Sequence, residues 1–153
     1  MKTNYKLLLI KTDGHVQCID SPKIPKLETL QQLVDGFIEV TPCQSDYIFI
    51  VNDEGAFNAS RYNTVASILQ AVAIYGHCLI YGDAVVAIRN ENEIRAMTED
   101  ECNAFLNWSI YVLKPILCYG EKRLYENEEA TGAFKDINVE EWPPVEADEG
   151  ADV

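Results

Sequence analysis

The sequence predicts an α+β fold: a single domain on a mixed or antiparallel sheet of about five or six strands with three helices, followed by an acidic C-terminal tail. Three observations carry this reading. Short runs rich in β-branched and aromatic residues, such as residues 5–11 and 47–51, are bounded by turn-forming residues. Other stretches repeat apolar residues every three or four positions, the spacing of one helix face. A chain of 153 residues has room for one ordinary domain and can bury roughly two-thirds of its unfolded surface, so it needs neither disulfide nor metal to fold.

Residues 5–11 and 16–20 flank Thr12-Asp13-Gly14-His15, and Asp-Gly between two β-rich runs predicts a hairpin because Gly accepts the positive φ of the turn. Beyond Pro22 and Pro25, the residues Leu27, Leu30, Val34 and Phe37 fall on one helical face over about 26–35, with Gly36 as a left-handed cap. Residues 37–41 alternate and residues 47–51 are β-branched and aromatic, which predicts two more strands. Asn52-Asp53-Glu54-Gly55 is a turn by composition, and residues 56–62 look irregular. Asn63 caps a helix whose stripe is Val65, Ile68, Leu69, Val72 and Tyr75, ended by Gly76. Residues 78–88 are the most β-like stretch, with Gly82-Asp83 marking either a bulge or a tight turn. Thr98 and Glu101 form a capping box, ahead of an apolar face of Cys102, Phe105, Leu106, Ile110 and Leu113 that Pro115 ends or kinks.

The formal charge is −13, which removes the electrostatic footprint of a nucleic-acid binder, so no direct nucleic-acid contact is expected. Residues 1–120 hold nine Lys/Arg against fourteen Asp/Glu, and residues 121–153 hold three against eleven. The acidity therefore concentrates in the last fifth of the chain. We expect a globular body over 1–120, an extended acidic segment packing back over 121–139, and disorder over 140–153. Only four consecutive apolar residues follow the first six, too few for a signal peptide, and no run reaches membrane-spanning length, so a cytoplasmic protein without membrane contact is expected. The five cysteines are widely spaced without a CxxC pair, which signals neither a disulfide framework nor zinc; we expect reduced, mostly buried thiols.

Residues 27–40, from Leu27-Glu28 through Asp35-Gly36-Phe37 to Val40, together with Val51-Asn52-Asp53-Glu54-Gly55, Asn63 and Tyr81-Gly82-Asp83-Ala84-Val85-Val86, resemble a family of small bacterial, plasmid and phage proteins. That family is catalogued as domain of unknown function 3846, and the resemblance spans about residues 5–90. The resemblance implies an association with mobile elements and no particular reaction.

The parts for catalysis are few. His15 and His77 sit at a turn and a junction, and a pairing of His15 with Cys78 would require the fold to bring them together. Asp46, Asp53, Glu54 and Asp83 are scattered, the Asn-Asp-Glu-Gly turn lacks the alternation of a calcium loop, and the glycines form no phosphate-binding string. No catalytic residues, metal or cofactor are therefore assigned, and a non-enzymatic role is expected. Two binding sites remain as candidates. In the first, Glu126, Glu128, Glu129, Asp136, Glu140, Glu141 and an exposed Trp142 beside Pro143-Pro144 present an acidic surface to a basic, nucleic-acid-handling host defence protein such as a CRISPR effector or restriction enzyme, which is thereby inhibited. In the second, Arg61, Tyr62, Asn63, Tyr81 and Asp83 sequester a small nucleotide-like signal, with Arg for a phosphate, Tyr for stacking and Asn for a base edge. A regulator of conjugation or replication is a third class. The bland alternatives are a solvated tail, a helix-capping Asn63 and a solvated Arg61.

Overall fold

The computed structural model describes residues 4–55, 61–76, 79–124 and 137–143. Alternation of buried residues builds the sheet. Strands β1 (Tyr5–Ile10) and β2 (Val16–Ser21) form the expected hairpin, closed by Gly14 at φ 90°. Strands β3 (Ile38–Pro42) and β4 (Tyr47–Asn52) form a second antiparallel pair, and β5 (Ala84–Asn90) lies between β4 and β1. The order is β2-β1-β5-β4-β3, and every pairing is antiparallel.

Strands β1 and β5 stay together only over Leu8–Ile10 and Ala84–Val86. Beyond that point they diverge, and two short strands fill the opening: β6 (Glu93–Arg95) pairs with β5 and β7 (Met97–Thr98) pairs with β1. The result is an open sheet of seven strands, two of them short inserts.

Because side chains on a strand alternate between faces, each central strand supplies two cores. Leu7, Leu9, Ile48, Ile50, Val85 and Ala87 pack against Leu30 and Val34 of α1 (Leu27–Val34). Leu8, Ile10, Phe49, Val51, Val86 and Ile88 pack against α2 (Thr64–Ile74) and α3 (Glu99–Leu124). On that second face Phe105 meets Phe49 edge-on at 6.3 Å and Tyr47 at 5.1 Å. Burial on both faces explains why β4 and β5 read as continuous apolar runs.

Several local expectations are corrected. Helix α1 stops at Val34 because Asp35, not Gly36, takes the left-handed conformation (φ 61°). Phe37 therefore leaves the helix and is exposed, as is Leu27 in the first turn. Likewise Tyr75, not Gly76, turns left-handed (φ 53°) after α2, which exposes Tyr75 fully and Val72 partly. Over its described residues, 79–88, the β-like stretch is neither one bulged strand nor a hairpin. Gly82 (φ 82°) turns the chain, Ala84 starts β5, and Tyr81 forms an isolated bridge to Tyr62. Pro115 does not end α3, which continues to Leu124; Pro115 and Tyr111 are both exposed, so water can take the carbonyl that loses its helical donor. Cys43 and Cys102 are buried as expected, whereas Cys18 and Cys118 are exposed. Among the described residues no helix is long and apolar enough to cross a membrane.

Candidate functional site

One end of the sheet gathers the end of β1, the starts of β2, β3 and β5, and the end of β4. Asn52, the last residue of β4, is buried there. Its Nδ2 donates to the carbonyls of Val34 (3.0 Å) and Asp35 (2.9 Å), and its Oδ1 accepts from the Glu54 amide (2.8 Å). Gly36 lies against this carboxamide so closely that a Cβ would stand 2.6 Å from Asn52 Nδ2. Gly55 closes the turn after β4 against the Tyr81 carbonyl, where a Cβ would stand at 2.7 Å.

Asn63 performs a second joining role. Its Oδ1 accepts from the Ala66 amide at the start of α2 (3.0 Å), while Nδ2 donates to the carbonyls of Ile10 and Gly82, each at 2.9 Å. Backbone bonds from Asn63 to Ile80 (2.7 Å) and from Gly82 to Arg61 (2.8 Å) fix residues 61–63 beside 80–82. Asp83 accepts from the Thr12 amide at 3.0 Å. The strings that carry the resemblance thus meet in one hydrogen-bonded corner, and Asn63 and Asp83 are spent in holding it. Among the proposed ligand-binding residues, Tyr62 and Tyr81 come together with rings 5.6 Å apart at 67°, while Arg61 is exposed.

A cleft of about 160 Å³ opens beside this corner. Glu39 and Thr41 reach it from β3, Asn52 and Asp53 from the end of β4, Gln70 from α2 and Tyr81 from the connection to β5. Gln70 is buried, and its Nε2 donates to Thr41 Oγ1 (2.8 Å) and the Pro42 carbonyl (2.7 Å). With both amide hydrogens engaged, Gln70 presents acceptor character to the cleft. Glu39 and Asp53 add carboxylates, so the lining as a whole accepts hydrogen bonds and carries negative charge. Arg61 and Asp83 do not line it. Sequence reading missed Glu39, Thr41, Asn52 and Gln70 as site residues; a glutamine inside the apolar stripe of α2 was the available signal.

The same end holds part of the acidic set. Glu140 and Glu141 lie in a 3₁₀ turn, Val139–Glu141, capped by Asn138 Oδ1, which accepts from the Glu140 amide at 3.1 Å. Trp142 is not an exposed docking residue: it is buried in the core that holds α2 and α3, and its indole Nε1 donates to the Gly14 carbonyl at 3.0 Å. A large apolar ring with one donor gains more in such a pocket than in water, which is why it folds back. Residues 140–142 thus have defined structure where disorder was expected. His15 sits between Asp13 (3.1 Å) and Glu141 (3.3 Å), and its imidazole is held above the ordinary value, first by Asp13 and then by Glu141. Glu126, Glu128, Glu129, Asp136, His77 and Cys78 lie outside the described residues. Among the described residues no three of His, Cys, Asp and Glu are placed to hold a metal ion.

The fold and corner define an α+β protein on an open antiparallel sheet with a polar cleft at one end. A family model described as domain of unknown function (DUF3846) matches residues 5–108, more than half of the chain, and the chain belongs to that family. The match takes in every described residue that lines the cleft and stops short of Trp142. No curated protein and no solved structure matches the chain.

Proposed function

We propose that this protein acts by binding rather than turnover, and that the cleft beside Tyr81 takes a small nitrogen heterocycle of nucleobase size. The observation that supports this most is the lining itself: the fixed Gln70 carboxamide, two carboxylates and a tyrosine ring in about 160 Å³. Such a set accepts from ring and exocyclic N–H groups and offers an aromatic edge or face. It repels phosphate, and Arg61 lies outside, so the ligand is a base or nucleoside rather than a nucleotide. A wider hollow of about 400 Å³ at the opposite end, between the β3–β4 turn and the end of β5, includes none of the residues that carry the family resemblance.

The test is calorimetric titration of the full chain with the common nucleobases and nucleosides. Saturable binding weakened at least tenfold by both Tyr81→Ala and Glu39→Gln is expected. Binding indifferent to both substitutions, or none across the series, would remove the proposal.

A second reading is favoured by a different observation. Trp142 and the His15 contact hold Glu141 near Asp13, with Glu140 in the same short turn, so part of the acidic tail is fixed on the body. This supports inhibition of a basic host defence protein by protein–protein contact, the role suited to a mobile element. Attraction of this kind weakens with salt. If the reading holds, removing residues 121–153 abolishes protection of a phage or plasmid in a defended host; unchanged protection would exclude it.

A further inference from the structure

We propose that Cys18 and Cys102 form a thiol–disulfide site that reacts with a low-molecular-weight disulfide and locks strand β2 to helix α3. The two cysteines come from opposite ends of the domain match, 18 on an open edge strand and 102 in the first turns of α3. Register brings them together. Cys18 lies directly across from Leu8, whose side chain belongs to the same buried cluster as Cys102, so Cys18 points to the face that α3 covers. Cys18 is near enough to Cys102 to contribute, after burial, to the upward shift of the Cys102 thiol. Lys6, ion-paired with Asp20, places an ammonium group near both sulfurs.

The asymmetry of the pair sets the order of events. Cys18 is exposed and meets the reagent first, whereas Cys102 is buried. Burial, reinforced by the neighbouring Cys18, pushes the Cys102 thiol up, which disfavours its thiolate and keeps it from reacting first. In the first step the Cys18 sulfur loses its proton and attacks one sulfur of the external disulfide. A Cys18–S bond forms, the external S–S bond breaks, and one external thiol leaves. In the second step Cys102 gives up its proton and attacks the Cys18 sulfur, which forms the internal S–S bond and releases the second external thiol. The protein loses two hydrogens and two electrons, and the external disulfide gains them. Excess thiol runs both steps backwards.

The experiment treats the full native chain with oxidised glutathione, quenches with acid, and reads intact mass and disulfide-mapped peptides. The expected product is lighter by about 2 Da and carries one internal Cys18–Cys102 link. Cys102→Ser is expected to stop at a glutathione adduct on Cys18, heavier by about 305 Da, and Cys18→Ser to form no internal link. Since Cys18 is exposed, its serine variant also serves as the folded control. A wild-type protein that keeps the adduct on Cys18 without closing, stays reduced at both positions, links through Cys43, Cys78 or Cys118, or dimerises instead would overturn the proposal.

Discussion

Glu101 shows how one residue can hold three elements. Its carboxylate takes two bonds from Arg95 of β6 (2.7 and 2.8 Å) and one from the Thr98 amide (2.9 Å), while its own carbonyl accepts from Tyr47 OH of β4 (2.7 Å). The Arg95 contact, supported by Thr98 and opposed by partial burial, holds the carboxyl at about 2 instead of 4.5. A carboxyl that ionises more readily in the folded chain stabilises it fully above 4.5, and that contribution disappears as pH falls through the folded value. We expect on the order of 3 kcal/mol of stability to be lost between about pH 5 and pH 2 through this group. Urea unfolding of Glu101→Gln should show a lower midpoint at pH 7 and a flatter acid limb; an unchanged acid limb would refute the assignment. The capping box was legible because Thr98 and Glu101 are three positions apart. Arg95 was not, since its placement depends on the insertion of β6. Asn63 divides in the same way: its cap is local, but its bonds to Ile10 and Gly82 cross the sheet and leave no mark in sequence spacing.

At the scale of elements, both short helices end one residue earlier than their glycines suggest. Asp35 and Tyr75 adopt the left-handed conformation at φ 61° and 53°, and Gly36 and Gly76 follow. A side chain there costs roughly 1 kcal/mol relative to glycine, less the entropy that glycine gains when unfolded. Tyr75 is 95% exposed and so has little packing to lose. Tyr75→Gly should therefore stabilise the protein by about 0.5 kcal/mol, seen as a higher thermal midpoint; a lower one would mean the ring has a partner. The existence of all three helices, of the first hairpin and of the strands near 37–41 and 47–51 was legible from periodicity and turn residues, whereas the pairing of those two strands was not. The connection into β5 was not, because Leu79, Ile80 and Tyr81 have strand-like chemistry yet pair across to residues 61–63 instead of extending the sheet.

For the molecule as a whole, the sheet is joined to the far end of the chain by Trp142. Trp142→Ala should destabilise the protein by about 3 kcal/mol in urea unfolding, as expected for a large aromatic ring removed from a core. The neighbouring His15 adds a pH dependence. Its folded value is raised above 6.5, so the charged pairing with Asp13 and Glu141 is complete below 6.5 and fades as pH rises through the folded value. Amide hydrogen exchange at residues 139–142 should accelerate above that point in the wild type and lose this pH step in His15→Ala; the same step in the variant would exclude His15 as its source. Composition gave no sign of the return of Trp142, because one aromatic residue among acids carries no period to read.

The outer margin at β3 has a consequence for self-association. Pairing of residues 37, 39, 41 and 43 with β4 turns the backbone of Ile38, Val40 and Pro42 outward. Proline offers no N–H, and the Pro42 carbonyl is already taken by Gln70. A foreign strand arriving along this margin finds only two donors, at Ile38 and Val40, beside the charge of Glu39. That is too short a ladder to seed a fibril, so concentrated solutions of the folded protein should resist stacking through this side.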